Sequence, residues 1–163
     1  MSWWPDARGK SVSEIMAGTF TELDALLTMS REYGFENWGC VEALGALKPD
    51  AAFEGALDDM LAGDVEALKA RLEANSSLVA ACSNYGHGAT LLHYLGANGV
   101  ETHRQKTPLN APDLARLLIA HGADRSAMAN MYGGGQTPYA LASTSAHPHN
   151  AGIAEELNAV LRP

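Results

Sequence analysis

The sequence predicts an all-α protein built from repeated turn-and-helix units. The first supporting observation is a phrase, Tyr-Gly-x-Gly-x-Thr, that occurs at residues 85–90 and again at 132–137. The second is that apolar residues along most of the chain recur at i, i+3 and i+4, the spacing of one helix face. A phrase repeated at a fixed distance is typical of proteins that stack one structural unit several times.

Each copy of the phrase has the local chemistry of a turn that leads into a helix. Its glycines allow positive φ angles, and Thr90 and Thr137 are suited to cap the following helix by accepting a hydrogen bond from a free backbone N–H. Pro138 then occupies a first helical position, where a missing N–H costs nothing. We therefore predict two turn-to-helix units.

Residues 1–50 are predicted to form an arm and a helical cap. Residues 1–12 have no sustained period and form the arm, which would pack through Trp3 and Trp4. A helix is predicted from the capping-box spacing of Thr19 and Glu22 to a C-terminal glycine, Gly34. The next helix is predicted to begin near Asn37 and to end before Pro49. Its apolar face comprises Trp38, Val41, Leu44 and Leu47.

Residues 51–79 are predicted to form a helix pair. Two apolar stripes at helical spacing are separated by Gly63 and Asp64, a turn glycine followed by an N-capping aspartate. The first stripe comprises Phe53, Ala56, Leu57, Met60 and Leu61, and the second comprises Val65, Leu68 and Leu72.

The segment 88–93, Gly-Ala-Thr-Leu-Leu-His, resembles the Gly-x-Thr-Pro-Leu-His signature of the ankyrin repeat, with leucine in place of proline. Gly99 follows Thr90 at the distance of the family pattern, and residues 117–124, Leu-Leu-Ile-Ala-His-Gly-Ala-Asp, resemble the end of a repeat. The second copy keeps Thr and Pro but has Tyr and Ala where the family has Leu and His. The resemblance implies an ankyrin-repeat α-solenoid of about three helix pairs, with repeats near 51–82, 83–129 and 130–163.

A shorter resemblance lies in the N-terminal cap. Residues 31–38, Arg-Glu-Tyr-Gly-Phe-Glu-Asn-Trp, are similar to a segment found upstream of the repeats in some bacterial ankyrin-repeat proteins. The simpler interpretation is a helix–turn–helix cap whose Tyr33, Phe35 and Trp38 cover the end of the stack.

The second and third repeats are longer than the family pattern, which predicts two inserted loops. Residues 101–111 are polar and contain a proline, and the helix is expected to restart at Pro112 and Asp113. Residues 143–150 form the second insertion, before a C-terminal helix over residues 151–161. The apolar positions of that helix are Ile153, Leu157, Val160 and Leu161.

Composition limits the classes of partner. The 163 residues are 47% hydrophobic and 18% charged, which is ordinary for a globular protein, and the net charge of −8 argues against nucleic acid or an anionic membrane surface. The first residues lack the features of a signal peptide, so a cytoplasmic location is expected. Cys40 and Cys82 have no metal-ligand spacing, so both are expected to be small buried side chains. No cofactor or metal is expected.

Single residues with reactive side chains have simpler structural interpretations. The resemblance implies that His93 ties neighbouring turns together by hydrogen bonds. The pair His147 and His149 lacks a nearby third metal ligand and is read as solvated surface rather than as a metal site. The glycines 133–135 are read as a turn, with a backbone anion site at the helix N-terminus as the alternative.

Three hypotheses for function follow, and catalysis is not favoured. The first is a non-catalytic protein–protein interaction module whose surface comprises Tyr85, His87, Tyr94, Asn98, Arg104, Tyr132 and Gln136. The second is a small-molecule or enzymatic site under the two inserted loops, 101–111 and 143–150. Its residues are Glu101, His103, Arg104, Asn110, His147 and His149. Glu101 and Arg104 equally suit a structural role, holding their loop in place. The third is self-association through the C-terminal helix.

Overall fold

The computed structural model describes residues 7–45 and 50–163. This part of the chain is mostly helical, with 57% helix, ten helices and one small two-stranded sheet. The helices are α1 (Val12–Ala17), α2 (Glu22–Glu32), α3 (Trp38–Gly45), α4 (Ala51–Leu61), α5 (Val65–Ala74), α6 (Leu91–Tyr94), α7 (Ala111–Ala120), α8 (Pro138–Thr144), α9 (Ala146–Asn150) and α10 (Ala154–Leu161). The antiparallel strands are β1 (Ala129–Met131) and β2 (Gly134–Gln136).

The N-terminal region is helical where expected, with two differences. Residues 12–17 form α1, a short helix capped by Ser11 that was not predicted and that begins at the end of the predicted arm, residues 1–12. Helix α2 is capped by Thr21, not Thr19, because Thr21 and Asp24 close the reciprocal capping box. The sequence Thr-Phe-Thr-Glu-Leu-Asp satisfies the capping pattern at two registers, so the pattern alone does not select one.

The third helix begins at Trp38, close to its predicted start. The predictions for Trp3, Trp4, Leu47 and Pro49 lie outside the described residues. Among the helices in the described ranges, none combines the length and apolar character needed to cross a membrane.

The helix pair α4–α5 is confirmed as predicted. Phe53, Ala56, Leu57 and Met60 of α4 and Leu68 and Leu72 of α5 are buried in the hydrophobic core. Gly63 has φ +79°, and the Asp64 carboxylate accepts a hydrogen bond from the N–H of Ala67 at 2.9 Å. The local turn chemistry therefore brings the two apolar stripes face to face.

The two copies of the repeated phrase both lead into helices, α6 and α8. Thr137 accepts the predicted capping bond from the N–H of Ala140 at 3.1 Å. Thr90 differs, because its hydroxyl lies 2.8 Å from Nδ1 of His93. The second copy of the phrase also completes a β-hairpin, since Tyr132 and Gly133 both have positive φ and connect β1 to β2. The turn prediction for glycines 133–135 is therefore correct for Gly133 only, because Gly134 and Gly135 belong to β2.

The second predicted loop is wrong, because residues 143–150 are largely helical. Helix α8 extends to Thr144, and α9 follows after Ser145, whose hydroxyl caps it by accepting from the N–H of His147. Pro148 lies in the first turn of α9, where a helix tolerates proline because its N–H would have no partner. The other predicted loop, 101–111, is confirmed as mainly irregular, with a 3-10 turn at Thr102–Arg104. The helix that follows it, α7, begins at Ala111.

Helix α10 begins at Ala154 rather than at 151, and its apolar face packs inward against α7 and α8. Leu157 and Leu161 are fully buried.

The prediction that both cysteines are buried is wrong. Cys40 is half-buried, and Cys82, whose backbone forms an isolated β-bridge with Thr90, is exposed. A periodic apolar pattern indicates which face of a helix is buried. A single cysteine belongs to no such pattern, so the sequence does not indicate whether it is buried.

Candidate functional site

A cleft of about 280 Å³ lies between the α2–α3 turn and the segment that carries the first copy of the phrase. Its walls are mainly aromatic or apolar, and a carboxylate and an imidazole contribute the polar groups. The lining residues are Met29, Tyr33, Phe35, Trp38, Val41, Tyr85, Glu101 and His103. Pockets for small ligands are typically concave and apolar with a few placed polar groups, and this cleft has that composition.

A contact between two glycine backbones holds the two sides of the cleft together. A Cβ on Gly86 would lie 2.7 Å from the carbonyl carbon of Gly34, and one on Gly34 would lie 2.8 Å from the backbone of Gly86. Asn130 adds a hydrogen bond from its side-chain amide to the carbonyl of Gly34 at 3.1 Å. Because any side chain would force these backbones apart, glycine at both positions is a geometric requirement for closing the cleft.

Glu101, which lines the cleft, belongs to a buried polar network with His87 and Tyr94. These residues are 5%, 2% and 0% exposed, respectively. The Tyr94 hydroxyl donates to Oε1 of Glu101 at 3.0 Å, and Nε2 of His87 lies 3.7 Å from the same oxygen. The second distance is longer than a hydrogen bond, so the His87–Glu101 contact is electrostatic. Tyr85 stacks on the His87 ring, with 5.7 Å between the ring centroids.

The hydrogen bonds fix where the proton of neutral His87 resides. Nδ1 of His87 accepts from the N–H of Ala89 at 3.0 Å, so the proton is on Nε2 and faces Glu101. Within the described part of the chain, neither Nε2 of His87 nor Oε2 of Glu101 has a hydrogen-bond partner, although both atoms are buried. Unpaired buried polar atoms are uncommon in folded proteins, and each one calls for an explanation.

Burial and neighbouring charges shift the pKa of several groups in and beside the cleft. Burial acts to raise the pKa of Glu101, but His87, a backbone N–H and Tyr94 lower it by more, so this pKa lies below 4.5. Burial raises the pKa of Tyr85, and the carboxylates of Glu101 and Glu54 raise it further. Burial likewise raises the pKa of Glu54, and Arg104 opposes this shift. Glu101 is therefore ionised at neutral pH, and its carboxylate lies beside the apolar walls of the cleft.

Arg104 and Asn110 hold the 101–111 segment against α4 and α5. The guanidinium of Arg104 pairs with Glu54 at 2.6 Å and with Asp58 at 2.7 Å. The side-chain amide of Asn110 donates to the carbonyl of Gly63 at 2.8 Å. The structural alternative for Arg104 is therefore supported, and neither side chain lines the aromatic cleft.

The cleft predicted under two loops is only partly assembled. Glu101 and His103 line the same cleft, but His147 and His149 are exposed on α9. Among the described residues, neither histidine side chain makes a hydrogen bond or ion pair to the 101–111 segment. The prediction assumed that 143–150 is a loop that returns toward 101–111. Because those residues are helical, the assumption does not hold.

The predicted partner-binding residues divide into exposed and buried groups. Tyr85 and Tyr132 are 36% and 47% exposed, while Asn98 and Gln136 are half-buried. The hydroxyl of Tyr132 donates to the side-chain oxygen of Asn98. For His87 and Tyr94 the prediction of a surface position is wrong. Both side chains are buried, because His87 in the turn before α6 and Tyr94 at the end of α6 pack against each other and against Glu101.

His93 has the connecting role that the resemblance implied. Its Nδ1 accepts from the N–H of Thr90 at 3.1 Å, and its Nε2 reaches the carbonyl oxygens of Ala127 at 3.2 Å and Gln136 at 3.1 Å. Burial lowers the pKa of His93, so the neutral ring is favoured. One imidazole thus joins the first turn-to-helix unit to both ends of the β1–β2 hairpin that leads into α8.

Sequence reasoning assigned Tyr33, Phe35 and Trp38 to a cap and missed that they form the walls of a cleft. The high density of aromatic residues in 33–38 could have indicated a binding surface. Tyr85, which lines the same cleft, is distant in sequence, so the cleft itself could not be predicted. Within residues 7–45 and 50–163, no group of three or more His, Cys, Asp or Glu side chains is placed to hold a metal ion.

Comparison of the chain with family models, with curated proteins and with solved structures finds no match. The geometry of the cleft is therefore the basis for any statement about function.

Proposed function

We propose that the chain is a cytoplasmic, non-catalytic protein-interaction module of the ankyrin-repeat type, and that its partner binds over the aromatic cleft. The observation that carries the proposal is the set of exposed apolar side chains on the rim: Met29, Trp38 and Tyr85 are 46%, 38% and 36% exposed. Exposed apolar groups clustered at a concave site are typical of interaction surfaces, and Trp and Tyr are enriched among the residues that dominate binding energy.

The ankyrin-type organisation is supported by the likeness of the two turn-to-helix units. Thr90 and Thr137 have similar backbone angles, with φ and ψ of −80° and 169° for the first and −84° and 161° for the second. His93 links the two units. An α-solenoid built in this way offers a rigid surface, so little ordering entropy would be lost when a partner binds.

A catalytic role for the network has less support. Glu101 and His103 are the acid–base groups that line the cleft, with His87 beside Glu101, but Nε2 of His87 and Oε2 of Glu101 are buried. No serine, threonine, cysteine or lysine is among the residues that line the described cleft. A general base has to reach the proton that it abstracts. The buried network is better suited to holding the negative charge of Glu101 in a fixed position than to transferring protons to or from a substrate.

The proposal is tested by capture from native lysate with matched variants. We expect Trp38→Glu combined with Tyr85→Glu to lose the proteins that the wild type retains, because charge on the rim opposes burial of the apolar surface. Leu109→Glu is the control, since Leu109 is 74% exposed but does not line the cleft. Retention of the same proteins by the folded double variant would contradict a contact surface at the cleft.

A further inference from the structure

We propose that the aromatic cleft receives a lysine side chain of the partner protein, with the ammonium group recognised by the Glu101 carboxylate. The inference rests on the proposed function for the source of the lysine. Its own basis is the juxtaposition of a buried, unpaired carboxylate oxygen with aromatic walls.

The charge of the cleft favours a cation. Glu101 is ionised at neutral pH and lines the cleft, and neither lysine nor arginine is present among the lining residues. Arg104 pairs with Glu54 and Asp58 rather than with Glu101. The ring of His87, with Nε2 3.7 Å from Oε1, is the nearest basic group to Glu101 among the described contacts. A carboxylate under low-dielectric walls attracts a positive ligand more strongly than one in open water.

The unpaired oxygen indicates where the ligand binds. Oε1 of Glu101 accepts from the Tyr94 hydroxyl, whereas Oε2 has no donor. A ligand N–H would satisfy this oxygen. One free oxygen matches the point charge of an ammonium group, while a guanidinium binds best to both oxygens of a carboxylate. The site therefore fits lysine better than arginine.

The walls suit the rest of a lysine side chain. Tyr33, Phe35, Trp38 and Tyr85 line the cleft and offer aromatic surface to an alkyl stem and ring faces to a cation. Oε2 is buried, so binding requires a neighbouring side chain to move. Tyr85 and His103 line the cleft and are exposed, so theirs are the side chains with room to move.

The first experiment uses the purified chain and n-butylammonium chloride as the probe, followed by NMR shifts of the Trp38 indole N–H. We expect saturable binding with a dissociation constant on the order of 1 mM, as suits a fragment of this size. Glu101→Gln should weaken it by at least about tenfold, and Glu66→Gln on α5 should not. Equal binding of n-butanol, equal binding by Glu101→Gln, or tighter binding of n-propylguanidinium would overturn the inference.

Trp38→Ala is a second variant that tests the same site if Glu101→Gln does not fold. Trp38 is 38% exposed, so its loss should leave the fold intact while removing one wall. Weakened binding followed through the backbone amide of Tyr85 is the expected result. Unchanged affinity would contradict a site within these walls.

The second experiment separates this inference from the proposed function. Lysate proteins are acetylated on their lysines before capture by the unmodified chain, which removes the ammonium charge. We expect capture to fail, and n-butylammonium to compete with unmodified lysate. If acetylated partners are still captured and rim variants still abolish capture, the interaction module stands and the lysine assignment is wrong.

Discussion

Glu101 is a charged residue placed where charge is costly, and its surroundings compensate only in part. The Tyr94 hydroxyl and the His87 imidazole both approach one oxygen, Oε1, and the other oxygen remains unpaired. Buried carboxylates are retained where they are paired or where they have a task. The network therefore has two consequences that can be measured separately, one for stability and one for binding.

Among the described residues Tyr94 is the side chain that donates a hydrogen bond to Glu101, and removing this donor should destabilise the fold. Tyr94→Phe leaves the carboxylate buried without that donor, so we expect the free energy of unfolding to fall by about 1–3 kcal/mol, measured by urea denaturation. Tyr132→Phe is the matched control, because its hydroxyl bonds to Asn98 at the surface. Its effect should stay within about 0.5 kcal/mol. Equal effects of the two variants would contradict a special role for Tyr94.

His93 should make stability depend on pH. Burial lowers its pKa below 6.5, so at slightly acidic pH the unfolded chain binds a proton that the folded chain does not. Stability is therefore expected to rise with pH up to about 6.5 and to fall below it, with a slope of at most about 1.4 kcal/mol per pH unit.

The measurement compares urea midpoints of the wild type and His93→Gln between about pH 5 and pH 7.5. The variant should be less stable but should have a flatter pH profile, since contributions from other groups are common to both proteins. His149→Gln on the exposed surface of α9 controls for the loss of one histidine. Parallel profiles for wild type and His93→Gln would show that another group carries the dependence.

At the scale of elements, the cleft depends on the contact between the α2–α3 turn and the first copy of the phrase. Gly86→Ala would place a Cβ 2.7 Å from the backbone of Gly34, and a backbone cannot rotate away as a side chain can. We expect faster hydrogen exchange in residues 21–45, with exchange in α4 and α5 unchanged. Gly134→Ala is the control, because its Cβ would meet nothing within 4 Å. Normal protection of 21–45 in Gly86→Ala would contradict this account.

The 101–111 segment is held by charge and hydrogen bonds rather than by secondary structure. Arg104→Gln should lower the free energy of unfolding by about 1–3 kcal/mol, because Glu54 and Asp58 lose charge-assisted partners. Thermal denaturation at low salt measures the loss. Arg116→Gln removes two ion pairs at a more exposed site and should have a smaller effect. The reverse order of the two effects would show that the segment is held in another way.

At the scale of the whole molecule, the packing of α10 argues against self-association through its apolar face. Leu157 and Leu161 are fully buried against the same chain. We therefore expect Leu157→Glu to unfold the protein rather than to dissociate an oligomer, because it buries an unpaired charge. Circular dichroism with light scattering distinguishes the two. A folded variant of reduced mass would restore the hypothesis of self-association.

Local sequence signals predicted individual elements well where one pattern had one interpretation. The stripes of α4 and α5, the turn at Gly63 and the cap at Thr137 depend on contacts within a few residues, so the sequence contains the necessary information. Where two registers satisfied the same rule, as at Thr19 and Thr21, prediction chose the wrong one. Residues 143–150 were read as a loop because proline and polar residues suit both a loop and a first helical turn.

The site was less predictable than the elements. Glu101 and His103 were identified as a pair, but Tyr33, Phe35 and Trp38 approach them from a different part of the chain. Burial of His87 and Tyr94 was also missed, because polar aromatic residues beside a turn are found at the surface and in the core alike.

The sequence by itself determined the mainly helical character, the helix that follows each copy of the repeated phrase and the net negative charge, since these follow from periodicity, capping residues and composition. Only the tertiary structure decided that the α2–α3 turn closes against Gly86 and that a carboxylate lies beneath aromatic walls. The reason is physical. Capping and helix formation depend on neighbours along the chain, whereas a cleft depends on which distant surfaces come into contact when the apolar core is buried.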